Sequence, residues 1–166
     1  ELDSHAIGDF NGQHVVADSG HLAVDAPTGH DLIAALDLRP GCRAMATDVC
    51  VPISRLAECI EETEKDVAQS PLDITMLGHV GDGNFHLVIV FDPSSDKERA
   101  EAEALNQRIV ERALAMEGTC TGEHGIGIGK LDFLAAEKGD GVDVMRQIKS
   151  ALDPLNLLNP GKIFSG

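Results

Sequence analysis

The pattern of apolar and polar positions divides the chain into short strands and two long amphipathic helices. Apolar residues recur at helical spacing from Ile53 to Gln69 and again after a Ser-Ser-Asp cap, until Gly118 supplies a stop. Short apolar runs bounded by Pro or Gly are typical of strands. The predicted elements are a strand at 46–51, a helix at 53–69, strands at 73–80 and 85–91, a helix at 96–117, a strand at 119–121, helices from 130 and at 142–152, and an extended tail from 154.

The middle of the chain therefore has the element order β-α-β-β-α-β. This is the order of the ferredoxin-like unit, in which two helices cover one face of an antiparallel sheet. The predicted fold class is α+β, with C-terminal helices and an extended tail after that unit. We predict one domain over residues 42–166, preceded by a segment, 1–41, whose pattern is compatible with a hairpin of 13–17 with 21–25. That segment carries four histidines, which we interpret as solvated loop residues: His5, His14, His21 and His30.

Asp82-Gly83 predicts the turn of a hairpin between the two central strands. A two-residue turn of this composition favours type I′, which needs a positive φ at both central residues. It would place His79 directly opposite His86, with their Cβ atoms ~4.5–5.5 Å apart. Asn84 then points to the same face because side chains alternate along a strand. Two imidazoles that close can bind one metal ion, although a pair of histidines across a turn can also be structural.

The two faces of this hairpin are both apolar. The histidine face also carries Leu77, Val88 and Val90. Strands that are apolar on both faces are usually covered on both. Nothing in this chain except its tail is an obvious cover, so we expect a missing domain or a partner chain on the histidine face. The opposite face is predicted to pack on the helices and consists of Ile74, Met76, Val80, Phe85, Leu87, Ile89 and Phe91.

Residues 122–130 (GEHGIGIGK) form a glycine-rich segment with two chemically useful side chains. The spacing is not that of a P-loop, because His124 stands where the first glycine is needed and Leu131 replaces the required Ser or Thr. The glycines suit a chain that passes close to a flat or bulky group. Glu123 offers a carboxylate ligand and His124 an acid–base group. With the two imidazoles, they are typical of a catalytic divalent-metal site with open positions.

Composition excludes several classes of partner. A formal net charge of -15 repels nucleic acids and anionic membrane surfaces, and the absence of Trp and Tyr argues against base stacking. No apolar run is long enough for a membrane span, and no secretory signal is evident. The four cysteines lack metal or haem spacing and are expected to be reduced thiols, as in the cytoplasm. Because the chain opens at Glu1, we expect a processed protein, a trimmed one or a piece of a longer one.

Four motifs in order resemble those of the C-terminal domain of FAD-linked oxidases, the family of D-lactate dehydrogenase, glycolate oxidase and D-2-hydroxyglutarate dehydrogenase. They lie at residues 47–52 (TDVCVP), 78–86 (GHVGDGNFH), 122–127 (GEHGIG) and 152–164 (LDPLNLLNPGKIF). The resemblance implies a cap built from ferredoxin-like units that binds a small 2-hydroxy acid beside FAD. The flavin-binding domain, absent from this chain, would be the partner that covers the apolar histidine face.

The resemblance also implies roles for individual residues. In metal-dependent members the equivalents of His79, His86 and Glu123 would hold zinc or manganese. Asn84 would contact the substrate, and His124 would take the hydroxyl proton as hydride leaves for the flavin. The residues implied to contact FAD are Gly125, Gly127 and Asn159.

Some features leave alternatives open. Ala46 stands where some members of the family carry a basic residue, so the cation for a substrate carboxylate is not identified. The chain alone lacks a hydride acceptor and is expected to be inactive. The other readings are a free-standing metal-dependent hydrolase and a non-catalytic metal-binding module. A homo-oligomer and loose membrane association through an electron acceptor both remain open.

Overall fold

The computed structural model describes residues 6–10, 13–18, 21–24 and 39–164. They fall into two compact units, residues 1–122 and residues 123–166. The first unit contains a sheet and two long helices, and the second contains two shorter helices. Within the described ranges, no helix combines the length and the apolarity needed to cross a bilayer.

The first unit is organised around one antiparallel sheet of seven strands. Its order is β1-β2-β3-β6-β7-β4, and β5 also pairs with β7. The pairing of β2 with β3 agrees with the hairpin predicted in the N-terminal segment. It also corrects the interpretation of His14 and His21 as loop residues, because both lie in strands; His5 and His30 lie outside the described residues. The strands are β1 (Ala6–Phe10), β2 (Gln13–Asp18), β3 (His21–Val24), β4 (Arg43–Ala46), β5 (Val49–Cys50), β6 (Asp73–His79) and β7 (Asn84–Phe91).

The predicted order is confirmed as far as β-α-β-β-α, with helices α1 (Ile53–Gln69) and α2 (Asp96–Ala115) in the predicted places. Helix α2 begins where its cap predicts, because the Ser95 side chain accepts a hydrogen bond from the Glu98 backbone N–H at 3.3 Å. The last predicted strand is reduced to a bridge between Thr119 and Cys50.

The first predicted strand is divided into β4 and β5 at Thr47 and Asp48. The Thr47 hydroxyl accepts the Leu87 N–H at 2.8 Å, a bond that the Thr47 carbonyl would accept in a regular ladder. The carbonyl instead turns toward the ring of His86. A hydrogen bond to a side chain therefore replaces one backbone hydrogen bond between the strands.

The core lies between the sheet and the two helices. Met76, Leu87 and Ile89 are buried on the sheet, and α2 contacts both β7 and α1. The helices are joined by Arg112, which donates to Thr63 at 2.9 Å and pairs with Asp66. The buried side chains of the helices are Leu56, Cys59, Thr63, Ala102, Leu105, Ile109, Val110 and Ala113.

The histidine face was expected to have no obvious cover within the chain except its tail, yet two of its three apolar residues are buried. Val88 and Val90 are 6% and 2% exposed, and only Leu77, at 36%, reaches solvent appreciably. Because this burial arises within a single chain, the chain itself provides the cover, and no partner is required for these two side chains.

The predicted register of the hairpin is also wrong. His79 is paired with Asn84 and Leu77 with His86, so the strands are joined by four residues rather than two. A short 3-10 turn occupies Val80–Asp82. Gly83 has a φ of 73°, whereas Asp82 is not left-handed, which excludes the type I′ turn. The Gly83 carbonyl accepts the Val51 N–H at 2.9 Å and so fixes the longer turn.

The second unit contains α3 (Leu131–Lys138), α4 (Gly141–Leu152) and a C-terminal segment of turns. Asp153 closes that segment, since its carboxylate accepts the N–H groups of Leu157 and Leu158, each at 2.9 Å. Lys149 binds this carboxylate and donates to the Leu158 carbonyl at 2.6 Å. Exposed apolar side chains concentrate in this unit rather than on the histidine face: Ile128, Val144, Met145, Ile148, Leu152, Leu155, Leu157, Leu158 and Ile163.

Candidate metal centre

His79 and His86 lie on the same face of the sheet, at the end of β6 and near the start of β7. Their ring centroids are 6.3 Å apart, with an angle of 86° between the ring planes. Each ring offers a nitrogen, and these two nitrogens lie within 4.8 Å of each other. Two nitrogens on one tetrahedral zinc would be ~3.3 Å apart. The two nitrogens therefore lie close to the separation that a shared ion requires.

His86 is held by two groups that contact one nitrogen of its ring. The ring is 4% exposed. Its Nδ1 lies 3.1 Å from the Thr47 carbonyl and 3.5 Å from a carboxylate oxygen of Asp48. Both neighbours are acceptors, so they favour the tautomer with hydrogen on Nδ1 and the lone pair on Nε2. A histidine ligand is commonly fixed in this way by an acceptor at its other nitrogen.

Asn84 adds a buried amide to the same face. It stands opposite His79 in the register and is 6% exposed. Its Oδ1 is buried and accepts no hydrogen bond. A buried acceptor without a partner costs ~1–3 kcal/mol, and such groups call for a specific explanation, for example an ion or ligand that is bound in the working protein.

The segment 121–122 is anchored beside these residues. One oxygen of Asp48 accepts the Thr121 hydroxyl at 2.6 Å and the Gly122 N–H at 2.9 Å. A Cβ at Gly122 would lie 2.4 Å from the Asn84 Oδ1, so only glycine allows this close approach. Glu123 is the next residue, and its Cα is one peptide, ~3.8 Å, from that of the anchored glycine.

In the second unit, Glu123 and His124 are about half exposed, and the Nε2 of His124 lies 3.8 Å from a Glu123 carboxylate oxygen. Of the three residues predicted to contact FAD, Gly127 and Asn159 line one cavity of about 490 Å³. The same cavity is lined by Lys149, Leu158, Lys162, Ile163 and Phe164. Gly125 has a φ of 79° but is not among these lining residues.

Two groups at this centre were not predicted from the sequence. Asp48 and Thr47 are 1% and 0% exposed and hold His86; in the sequence they belong only to a motif. The backbone register also pairs the position of His21 with that of His79. A charged residue between the apolar residues of a short strand was the available signal for Asp48, since such a residue is rarely buried without a partner.

The family model for the C-terminal domain of FAD linked oxidases matches residues 25–163. A protein named probable D-lactate dehydrogenase, mitochondrial, from Danio rerio is 53% identical over 79% of this chain and 27% of its own length. A D-lactate dehydrogenase [cytochrome], mitochondrial, from Arabidopsis thaliana is 51% identical over 80% of this chain and 24% of its own length.

More distant relatives also match. The glycolate oxidase subunit GlcD of Bacillus subtilis is 38% identical over 71% of this chain and 25% of its own length. The chain thus spans about a quarter of these relatives. Among solved structures, 4-ethylphenol oxidase from Gulosibacter chungangensis, as an isoeugenol complex, matches with a TM-score of 0.59 and 19% identity, over 83% of this chain and 27% of that one. That likeness concerns the fold.

Proposed function

This chain belongs to the FAD-linked oxidases, as a C-terminal domain of that oxidoreductase family, and from this premise we propose that it forms the substrate-binding part of a flavin-dependent D-2-hydroxy acid dehydrogenase. The substrate would be of the D-lactate or glycolate type and would leave as the 2-oxo acid. The observation that carries the proposal is the sheet face that joins His79, the buried His86 and the unpartnered Oδ1 of the buried Asn84.

We propose that the two histidines hold a zinc or manganese ion and that Glu123 supplies the third ligand. The donor set fits a divalent ion, because imidazole and carboxylate both suit zinc and manganese tolerates the same set. The Nδ1 contacts of His86 leave Nε2 as the ligating atom. Glu123 directly follows Gly122, whose N–H donates a hydrogen bond to Asp48. This attachment supports the proposal that Glu123 is the third ligand. A divalent ion, when bound, lowers the pKa of a hydroxyl group that it ligates.

His124 is proposed as the base. Oxidation of a 2-hydroxy acid removes a hydride from the α-carbon and a proton from the hydroxyl oxygen. His124 would take the proton, and FAD, when bound, would supply the acceptor for the hydride, so that charge and electrons balance. Imidazole suits this step because its ordinary pKa is near neutrality. The Oδ1 of Asn84 is proposed to accept a hydrogen bond from the substrate, which gives that buried oxygen a partner.

FAD is expected to be bound mainly by a domain that is not part of this chain. Gly127 and Asn159, at one cavity, are proposed to contact it, and Gly125 is assigned the same role from the resemblance alone. Without the flavin-binding domain the chain has no hydride acceptor and is expected to be inactive. We also propose a reducing compartment, because the spacing of the four cysteines matches no metal or haem site; the names of two relatives place those proteins in mitochondria.

The test is single-turnover flavin bleaching in the flavin-containing enzyme, mixed with D-lactate or glycolate in the absence of an electron acceptor. His124→Ala should slow bleaching by ~10²–10⁴-fold and leave substrate affinity nearly unchanged. Gly129→Ala is the control in the same loop, because a Cβ there meets nothing within 4 Å. A decrease of less than about tenfold in the bleaching rate of His124→Ala would exclude His124 as the base. Failure of every 2-hydroxy acid to bleach the wild type would refute the dehydrogenase itself.

A further inference from the structure

We propose that Asp48 is the positioning residue of the centre and that it fixes both the ring of His86 and the segment leading into Glu123. The role of Asp48 toward a metal rests on the proposed function, whereas its contacts in the structure do not depend on that function.

The two oxygens of Asp48 face different parts of the centre. Oδ1 lies 3.5 Å from Nδ1 of His86. Oδ2 accepts both the Thr121 hydroxyl and the Gly122 N–H. A carboxylate this deeply buried is unfavourable unless polar groups surround it. The polar groups around Asp48 belong to His86, a proposed ligand, and to the two residues that precede Glu123.

The break between β4 and β5 is the backbone feature that allows this arrangement. Because the Thr47 hydroxyl replaces its carbonyl in the ladder, that carbonyl is directed at His86 and Asp48 is placed beside the same ring. Carbonyl and carboxylate together impose the tautomer protonated at Nδ1. Removal of such an outer acceptor typically weakens metal affinity by ~10–100-fold.

Asp48→Asn is the decisive variant, because an amide has one acceptor oxygen where the carboxylate has two. It therefore loses either the contact with His86 or the contacts with Thr121 and Gly122. In the metal-free 166-residue chain, long-range ¹H–¹⁵N spectra report the His86 tautomer, and hydrogen exchange reports the Gly122 amide. We expect the Nδ1–H tautomer to lose its dominance or the Gly122 amide to exchange faster. Zinc affinity, measured against a competing chelator, should fall ~10–100-fold.

Asp66→Asn is the matched control, since it removes another largely buried carboxylate, the partner of Arg108 and Arg112 between the helices. It should destabilise the fold without altering the His86 tautomer or zinc affinity. Where Asp48→Asn fails to fold, Thr121→Val removes one donor to Oδ2 and should accelerate exchange at Gly122 alone.

The outcomes separate the two proposals. An unchanged tautomer together with unchanged Gly122 exchange in Asp48→Asn would overturn the positioning role. Equal zinc affinity in wild type and Asp48→Asn would do the same. Absence of zinc and manganese binding in the wild type would refute the metal site of the proposed function, while the tautomer and the exchange at Gly122 would still decide the role of Asp48.

Discussion

Gly122→Ala should disturb the candidate metal centre through a single steric contact. The added Cβ would lie 2.4 Å from Oδ1, 2.5 Å from Cγ and 2.6 Å from Nδ2 of Asn84, where ordinary contacts begin at 3.4 Å. The amide would have to move by roughly 1 Å, a displacement that a close-packed interior resists. The backbone itself tolerates alanine, because Gly122 is not in the left-handed region. The overlap can therefore be relieved only by a movement of the Asn84 side chain.

We expect this overlap to lower the free energy of unfolding by ~1–3 kcal/mol, the usual range for overpacking. Asn84→Ala alone should change it by less than about 1 kcal/mol, because lost packing is offset by removal of an acceptor that has no partner. The double variant lacks the clashing amide. Its loss of unfolding free energy should therefore be smaller than the sum of the losses in the two single variants by ~1–2 kcal/mol, within the range known for residues in contact.

The assay is urea unfolding of the four members of this cycle, with Gly81→Ala as the control. A Cβ at Gly81 would meet nothing within 4 Å, and its φ is not positive, so this variant should be nearly neutral. Additive effects of Gly122→Ala and Asn84→Ala would show that the two residues are not in contact. A Gly122→Ala variant as stable as Gly81→Ala would remove the steric argument altogether.

Two further predictions concern the metal ligands and the C-terminal segment. His79→Ala and His86→Ala should each lower bound zinc or manganese in the flavin-containing enzyme, measured by elemental analysis after dialysis, and unchanged metal content in both would exclude the site. In the second unit, the hydrogen bond from Lys149 is the main cause that lowers the pKa of Asp153 to about 2. The stabilisation from this carboxylate is present above its ordinary pKa of 3.8 and is lost as pH falls through about 2. Protection of the Leu157 and Leu158 amides should fall in that window, and Asp153→Asn should lower it already at neutral pH; protection independent of both changes would contradict this cause.

The elements were predictable from sequence where apolar periodicity and end signals agree. Helices α1 and α2 bury apolar stripes of helical spacing, and Ser95 and Gly118 mark the limits of the second. The hairpin register was not predictable in the same way. Asp-Gly favours a two-residue turn locally, but the longer turn gains a bond between Val51 and Gly83 that depends on a strand distant in sequence.

The face shared by the histidines was nevertheless predicted correctly, and the reason is the parity of the strands. The register differs from the expected one by two residues, so His86 is opposite Leu77 instead of His79. Because side chains alternate with a period of two, an even shift keeps every residue on its face, whereas a shift of one would send His86 to the helix side. His79 and His86 become diagonal neighbours, ~7–8 Å apart in an ordinary pair, and their long rings still bring ligand atoms within 4.8 Å. The place directly opposite His79 falls to Asn84, whose amide thereby comes against Gly122. The corrected register therefore keeps the two imidazoles on one face and brings the buried oxygen of Asn84 next to the segment that leads into Glu123.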